Sequence, residues 1–297
     1  MYGQPDTFDY FQCTDCECLQ IESIPPDLQR FYQGGYYSFQ PTATPQPFVA
    51  WLIRARDRYA VQGRGLLGRL LHAFMPRLDI RFLTRVATVP ETRILDIGCG
   101  SGKLLRTLYS IGYRQLTGID PFIAADIELG PGARIKKSTI EAFDEPQDLI
   151  MFNHSLEHVP DQERTLRRAA ELLAPNGVIT VSIPVVSSQA WRTYGADWVQ
   201  LDAPRHLYLH STRSINLVAG RAGLQVVDVF QDSNAFQFWG SEQCRRGIAL
   251  TAPNSYLVNP AESIFSRQDI ARFRREAKRV NAYGCGDQAT FILRPVR

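Results

Sequence analysis

A glycine-rich turn between a buried strand and a helix places the strongest constraint on how this chain can fold. The stretch RILDIGCGSGKLL covers residues 93–105. Its apolar start carries Asp96, and its turn holds Gly98, Gly100 and Gly102. Glycine adopts positive φ angles at low cost and lets a ligand approach the main chain. The stretch therefore predicts a ligand-binding loop where a strand turns into a helix.

Two common nucleotide-binding motifs do not fit this loop. A phosphate loop requires G-x-x-x-x-G-K-[ST], but Lys103 is followed by Leu104 and position 97 is an isoleucine. A dinucleotide fingerprint, G-x-G-x-x-G, would need its third glycine where Lys103 stands. The spacing present is G-x-G-x-G, which leaves a nicotinamide-dependent oxidoreductase only as an alternative.

From residue 92 onward, strand-like and helix-like segments alternate. One helix is predicted to begin after Asp161, which can serve as its N-cap. Strands that alternate with helices predict an α/β fold, here a seven-stranded, mostly parallel sheet with helices on both faces. The predicted strands are RILDIG, RQLTGID, ARIKKST, DLIMFN, GVITVSIP, LQVVDVFQ and QATFILRP.

The chain divides into an N-terminal appendage, leading helices and a main domain. The appendage is rich in aromatic residues, proline and glutamine, and its start predicts a hairpin around Cys13–Cys16. Helical spacing of apolar residues follows at 48–60 and 65–86. The boundaries are 1–46 for the appendage, 47–90 for the helices and 91–297 for the main domain, with an insertion at 233–286 before the last strand.

Charge and cysteine usage argue against several classes of protein. The 297 residues carry a formal net charge of +3 without a block of like charges, so we expect no nucleic-acid partner. The densest basic stretch, 267–280, is predicted as a solvated helix face with Ile270 and Phe273 turned inward. No apolar run approaches the roughly 20 residues of a membrane span, and the first residues lack the pattern of a signal peptide. Six cysteines do not make a disulfide framework in a chain of this length. We therefore expect a soluble, cytoplasmic protein without a membrane partner.

An acidic residue ends the next predicted strand. Asp120 closes the sequence GID, and a carboxylate at this place can accept hydrogen bonds from both hydroxyls of a ribose. Taken alone, Asp120 is equally well explained as a turn residue before Pro121. Its separation from the glycine loop favours ribose binding.

The segment 92–185 resembles class I S-adenosylmethionine-dependent methyltransferases, through ILDIGCGSG, GID, DLIMFNHSLEHVPD and LLAPNGVITVSIP. The resemblance implies a Rossmann-like fold with an antiparallel last strand and S-adenosylmethionine as the cofactor. It implies that the glycine loop surrounds the methionine part and that Asp120 holds the ribose. The cofactor-binding residues implied are Asp96, Gly98, Cys99, Gly100, Gly102, Asp120, Pro121, Thr139, Ile140, Asn153 and His154.

A longer resemblance extends to the segment 198–224, which contains DAPRHL, and to FWGSEQ and GCGDQATFIL. Similar proteins belong to pathways that build surface polysaccharides or small metabolites, and others resemble ubiquinone-pathway O-methyltransferases. The resemblance implies methyl transfer to a small hydroxylated acceptor, such as a sugar or polysaccharide precursor. Transfer to carbon or nitrogen, and a non-catalytic relative that binds the cofactor as a partner or scaffold, remain alternatives.

Two histidines are candidates for a general base. An alcohol must lose its proton as it is methylated, and histidine is the usual base near neutral pH. His154 follows the fourth strand, and His206 lies in the loop after the fifth. His158 is predicted to pack beneath its loop. Asp202 and Arg205 either join His206 in a polar cluster or pair to fix the loop.

The sequence CTDCEC has the C-x-x-C spacing of a metal site but lacks a second pair. A structural zinc site needs four ligands, so we predict no metal ligands in this chain. In the resembled subgroup a cysteine pair often precedes the position of Cys13, which implies half of a metal ribbon here.

Two groups of aromatic residues have two interpretations each. Those of the appendage form either a lid over the cofactor or a packed seam. Those of the insertion form either a wall of the acceptor site or part of the core. The first group is Phe31, Tyr32, Tyr36 and Tyr37; the second is Phe236, Phe238 and Trp239.

Overall fold

The computed structural model describes residues 6–32, 45–77 and 79–296. The described strands are β1 (Tyr10–Gln12), β2 (Leu19–Ile21), β3 (Ile94–Ile97), β4 (Leu116–Ile119), β5 (Ile127–Gly130), β6 (Ala133–Lys136), β7 (Gln147–Asn153), β8 (Leu173–Pro184), β9 (Tyr208–Leu209), β10 (Leu224–Gln231) and β11 (Gln288–Pro295). The described helices are α1 (Pro47–Gln62), α2 (Leu66–Phe74), α3 (Phe82–Arg85), α4 (Lys103–Ser110), α5 (Gln162–Glu171), α6 (Gln189–Tyr194), α7 (Thr212–Arg221), α8 (Phe236–Arg245) and α9 (Arg267–Ala282).

The central sheet has the order β10-β11-β8-β7-β3-β4-β6-β5 in the part of the chain that the structure describes. The strands from β8 to β6 in this order run parallel, and β11 lies antiparallel between β8 and β10. The predicted α/β class and the antiparallel last strand are confirmed. The count of seven strands was one short, because β5 pairs antiparallel with β6 across the turn at Gly130–Gly132. This edge strand is four residues long and mostly half-buried, so it has no clear apolar pattern.

The sheet order changes direction at β3, and this creates a crevice at its carboxyl end. After β3 the chain adds β4 and β6 on one side, and then β7 and β8 on the other. In open α/β sheets, ligands bind where the direction of winding reverses. The glycine loop that follows β3 lies at this position.

Apolar side chains alternate between the two faces of the sheet, as the two-residue period of a strand requires. Leu95 packs with the cluster formed by α5 and α7, whereas Ile94 packs with the cluster that contains α1 and α4. All four residues of β3 are buried. The strand is covered on both faces, which explains its continuous apolar sequence.

The leading helices differ from their prediction. The predicted helix 65–86 is two helices, since α2 ends at Phe74 and α3 begins at Phe82. Pro76 cannot donate the backbone hydrogen bond that would continue α2. Within the described residues, no helix has the length and apolar character needed to cross a membrane.

The predicted N-terminal hairpin is confirmed: β1 and β2 pair antiparallel around the turn that holds Cys13 and Cys16. Strand β2 also pairs with β9, in the loop region after the fifth parallel strand. The hairpin is therefore joined to the main domain. Tyr36, Tyr37 and most of the predicted linker lie outside the described residues, and the division into three parts stays a prediction.

The insertion forms a helical layer with its own core. The rings of Phe238 and Phe273 stack with 5.9 Å between their centroids, and the ring centroids of Trp239 and Tyr256 are 5.2 Å apart. Both Phe238 and Trp239 are buried, so of the two interpretations core packing is what the structure shows. Phe236 is half-buried against Trp239. The inward orientation of Ile270 and Phe273 is confirmed.

Candidate active site

The glycine loop is compact and turns its backbone toward the crevice. Gly98, Gly100 and Gly102 have φ angles of 73°, 54° and 74°. A Cβ atom on Gly98 would lie 2.5 Å from Cβ of Ser155, and one on Gly102 would lie 2.2 Å from Cδ1 of Ile135. Side chains are therefore excluded at these places by both conformation and space.

Asp120 fastens this loop to the next strand. Its Oδ2 atom accepts a hydrogen bond from the backbone N–H of Gly100 at 2.9 Å, and its Oδ1 atom accepts one from Phe122 at 2.8 Å. Burial raises the pKa of Asp120 despite these donors. The carboxylate is held at the carboxyl end of β4, where a ribose is expected in this kind of fold.

Asp96 lies behind the loop and is buried. Its Oδ1 atom has no hydrogen-bond partner among the described residues. Burial and the charge of Asp120 raise the pKa of Asp96 to about 8. A cation beside it would favour the ionised form, because opposite charges stabilise each other in a buried environment.

A cavity of about 330 Å³ lies at this end of the sheet. It brings together residues from the loop, from the ends of β4 and β6, and from the segment after β7. The predicted cofactor residues in its lining are Gly98, Asp120, Pro121, Thr139, Ile140 and His154.

The other predicted residues lie outside the lining. The backbone N–H of Gly100 donates a hydrogen bond to the carboxylate of Asp120, and the sulfur of Cys99 lies against Gly118. Burial raises the pKa of Cys99 well above its ordinary value, so its thiol is unreactive near neutral pH. Asn153 ends β7 beside Ser182. Asp96 is buried on β3, and Gly102 lies against Ile135 of β6. The cofactor-binding roles of these residues stay predictions.

Two aromatic residues form one wall of the cavity. The rings of Tyr32 and Phe122 stack at 5.6 Å with an angle of 6° between their planes. Phe31, by contrast, is buried against Phe8. Phe31 therefore packs as the seam interpretation expects, whereas Tyr32 lines the cavity; a lid over a bound cofactor stays a prediction. Phe122 was missed, although an exposed aromatic two residues after Asp120 was the available signal.

A buried carboxylate surrounded by histidines lies beside the cavity. We call His154, Glu157, His158 and His206 the Glu157 cluster. Glu157 is 0% exposed, and neither carboxylate oxygen has a hydrogen-bond partner in the described residues. Oε1 lies 3.6 Å from Nδ1 of His154 and 4.0 Å from Nε2 of His206. Burial alone would raise the pKa of Glu157, but the histidines lower it to about 2, so the carboxylate is charged near neutral pH.

His154 and His158 both line the cavity, and His154 is also paired with Glu157. The backbone φ of His154 is 53°, an uncommon value for a residue other than glycine. Its backbone N–H donates to the carbonyl of Ser182 at 2.9 Å, which fixes this turn. Burial lowers the pKa of His154, but the adjacent Glu157 and the charges of Asp232 and Asp287 outweigh burial and raise it.

His206 is buried behind His158, with 4.8 Å between the ring centroids. Its Nδ1 atom lies 2.7 Å from the carbonyl of Gln200, so Nδ1 carries the proton and Nε2 has a free electron pair. Burial and His158 lower the pKa of His206 to about 4. His206 does not line the cavity, which makes His154 the better placed base.

The Asp202–Arg205 pair fixes the loop that carries His206. Nε of Arg205 donates to Oδ2 of Asp202 at 2.9 Å, and the same guanidinium donates to the carbonyl of Phe31 at 3.0 Å. His158 hydrogen-bonds with the carbonyl of Arg205 at 2.8 Å, but it also lines the cavity, so packing beneath the loop describes only part of its surroundings. This network joins the N-terminal segment that carries Phe31 to the Glu157 cluster.

Three members of the cluster could together hold a cation. Glu157, His158 and His206 each offer one ligand atom, and these atoms lie within 4.8 Å of one another. One carboxylate and two imidazoles suit a divalent transition metal. The sequence prediction of no metal ligands stays a prediction.

The family model described as a methyltransferase domain matches residues 68–229, which is more than half of the chain. The chain belongs to the methyltransferase family. The methyltransferase uses S-adenosylmethionine as its cofactor. The site is compatible with this molecule: Gly98 and Asp120 both line the cavity, and the Asp120 carboxylate at the end of β4 has the chemistry to accept hydrogen bonds from ribose hydroxyls.

Three curated relatives of the methyltransferase are ubiquinone biosynthesis O-methyltransferases. The protein from Nitrosospira multiformis is 32% identical over 176 residues, which cover 54% of this chain and 73% of the relative. The protein from Yersinia enterocolitica is 31% identical over 149 residues, covering 46% and 61%. The protein from Azorhizobium caulinodans is 35% identical over 125 residues, covering 38% and 49%. The methyltransferase thus matches less than two thirds of the second and third relatives.

A solved structure aligns over most of the methyltransferase at low similarity. It is the 1,6-didemethyltoxoflavin-N1-methyltransferase of Burkholderia thailandensis with bound S-adenosylhomocysteine. The alignment covers 96% of this chain and 98% of that chain, with 15% identity and a TM-score of 0.45. Similarity at this level supports no statement about the acceptor.

Proposed function

We propose that the protein methylates an oxygen of a small, polar hydroxylated acceptor, such as a sugar or polysaccharide precursor, with His154 as the general base. The observation that carries the proposal is the His154–Glu157 pair, which lies at the wall of the cofactor cavity. The curated relatives are O-methyltransferases, which supports oxygen as the acceptor atom.

The pair has the arrangement that a base acting on a hydroxyl needs. S-adenosylmethionine supplies the methyl group as an electrophile when it is bound. Because Nδ1 of His154 faces Glu157, Nε2 is the atom that can take the proton of the acceptor hydroxyl. The charged Glu157 stabilises the imidazolium that forms and keeps the ring oriented. Tyr32 and Phe122 cover one side of the cavity and help to exclude water.

Buried polar groups near His154 support a polar acceptor. Asp232 follows β10 and Asp287 precedes β11, and both of these strand ends lie at the crevice edge of the sheet. The charges of both carboxylates act on His154, and Oδ1 of Asp232 has no hydrogen-bond partner in the described residues. A buried acceptor without a partner favours a ligand that brings an O–H donor to it. A molecule with several hydroxyl groups satisfies this requirement better than a mainly apolar one.

The test is methyl transfer from labelled S-adenosylmethionine to a panel of acceptors. The panel contains nucleotide sugars, free sugars and catechols, with and without a chelator to detect any metal requirement. We expect product with a polyhydroxylated acceptor, and we expect His154→Gln to lower kcat by about 100-fold or more. Cofactor affinity should change only a few-fold, since Asp120 and the loop remain.

His72→Gln is the matched control, because His72 lies in α2 and packs against Tyr59. This variant should retain the wild-type kcat. Product with catechols alone would contradict the polar acceptor, and a wild-type kcat for His154→Gln would exclude its role as base. Cofactor binding without transfer to any acceptor would favour a non-catalytic relative, and tighter binding of NAD would favour an oxidoreductase.

A further inference from the structure

The apolar face of α2 points away from the protein. Leu66, Leu70 and Phe74 are 86%, 57% and 79% exposed, and their spacing of four residues places them in one stripe. Gly68 is the only buried residue of this helix, and it packs closely against Ala55 of α1. A surface helix ordinarily turns its apolar stripe toward the core. In α2 this orientation is reversed.

Further exposed apolar residues lie beside this stripe in the sequence. Leu67 on α2 and Met75, which directly follows α2, are also exposed. Phe48 and Trp51 are exposed on α1, with their ring centroids 6.0 Å apart. Helices α1 and α2 pack against each other. Large exposed apolar surfaces in a folded protein mark interaction sites. We define the α1–α2 patch as Phe48, Trp51, Leu66, Leu67, Leu70, Phe74 and Met75.

The segment that carries the patch is strongly basic. Residues 47–86 contain eight arginines and two aspartates, a net charge of +6, whereas the whole chain has +3. Asp57 is buried and already paired with Arg56 and Arg77. Five further arginines of this segment have no carboxylate within 4.0 Å in the described ranges: Arg54, Arg58, Arg64, Arg69 and Arg81.

We propose that the α1–α2 patch docks this protein on the surface of an anionic phospholipid bilayer. An amphipathic helix with apolar residues on one face and arginines beside them lies in the plane of the membrane interface. Each arginine near an anionic surface adds attraction that depends on salt. Docking of this kind needs no membrane-spanning helix, and it replaces the expectation of no membrane partner.

The charge of the segment favours lipid over the other occupants. A second copy of the chain would bring two segments of +6 together, and like charges repel across an interface. A nucleic acid would use the arginines but would leave the leucine stripe exposed to water. A bilayer with anionic headgroups accommodates both features at once.

Co-sedimentation of the full chain with vesicles tests the proposal. The vesicles are phosphatidylcholine alone and phosphatidylcholine mixed with phosphatidylglycerol. We expect binding to the mixed vesicles that weakens in high salt. We expect the triple variant Leu66→Gln, Leu70→Gln, Phe74→Gln to lose affinity for these vesicles by about ten-fold or more. Arg64→Gln with Arg69→Gln should reduce the preference for anionic vesicles.

The control removes three exposed apolar residues elsewhere, in the variant Leu217→Gln, Leu257→Gln, Val258→Gln. It should bind vesicles as the wild type does. Circular dichroism and cofactor binding should be unchanged in both triple variants, because all six side chains are exposed. Absence of binding to both kinds of vesicle, or equal binding by both triple variants, would overturn the proposal. The proposal would also be overturned if the variant of Leu66, Leu70 and Phe74 bound vesicles like the wild type but lost a dimer in light scattering. Loss of binding to single-stranded DNA in that variant, with vesicle binding unchanged, would have the same meaning.

Discussion

The two halves of the crevice are built by different means. The cofactor half consists of the glycine loop and Asp120, which lie close together in sequence and are joined by backbone hydrogen bonds. The base half consists of the Glu157 cluster, which the Asp202–Arg205 loop and the carbonyl of Phe31 complete from distant segments. The first half is a property of one continuous strand–helix–strand segment, from β3 through α4 to the end of β4. The second half exists only when several segments converge.

The largest effect is expected from Asp120, the centre of the cofactor half. Asp120→Ala removes the acceptor of two backbone donors and the carboxylate that is predicted to accept from the ribose hydroxyls. We expect affinity for S-adenosylmethionine and S-adenosylhomocysteine to fall by about 100-fold or more, measured by calorimetry. Asp120→Asn should lie between this variant and the wild type. Asp126→Ala is the control, since Asp126 is exposed and accepts from Lys137; an equal loss there would contradict a specific role for Asp120.

Tyr32 connects the two halves, so its variants sharpen the comparison. Its ring stacks on Phe122, and its hydroxyl lies 3.2 Å from Nδ1 of His158. We expect Tyr32→Ala to weaken cofactor binding about ten-fold, because the aromatic wall is lost. Tyr32→Phe keeps the ring and should weaken binding only about two-fold. Tyr208→Phe, which removes a hydroxyl bonded to the carbonyl of Pro160, should have no effect.

Glu157 tests the base half through the pH dependence of the reaction. Glu157 raises the pKa of His154, and a general base works only while it is unprotonated. The acid limb of kcat/KM in the wild type should therefore follow the pKa of His154. In Glu157→Gln the pKa of His154 falls, and the acid limb should move to lower pH. An acid limb that stays in place while the rate falls would mean that Glu157 has only a structural role.

The smallest expected signal is a proton released on cofactor binding. Asp96, with its pKa near 8, is mostly protonated at neutral pH, and a bound cation lowers that pKa. Binding of S-adenosylmethionine near neutral pH should release a fraction of a proton, measured by calorimetry in buffers of different ionisation enthalpy. S-adenosylhomocysteine, without the sulfonium charge, should release less. Asp96→Asn should abolish the release, and an unchanged release would assign it to another group.

The parts of the molecule that sequence reasoning predicted are those governed by local rules. The seven predicted strands have apolar runs between turn residues, and the loop glycines need positive φ angles that other residues disfavour. The prediction of Asp161 as an N-cap is confirmed, because its side chain accepts a hydrogen bond from the backbone N–H of Arg164, three residues later. Each of these features depends on neighbours within a few residues.

The misses have in common a dependence on distant neighbours. Strand β5 exists because β6 lies beside it and not because of its own pattern. Glu157 was not singled out, since only the fold surrounds it with three histidines. For Phe238 and Trp239 the sequence left an acceptor wall and core packing open, and the contacts that decide for core packing come from α9 and Tyr256, which are far along the chain.

The sequence by itself determined the sheet, the glycine loop and the acidic residue after β4, because backbone conformation and burial of a strand follow from nearby residues. The tertiary structure alone decided which histidine meets a carboxylate, which aromatic residues cover the cavity and which way the apolar stripe of α2 faces. The physical reason is that a side chain's pKa, burial and partners are set by whichever segments pack around it.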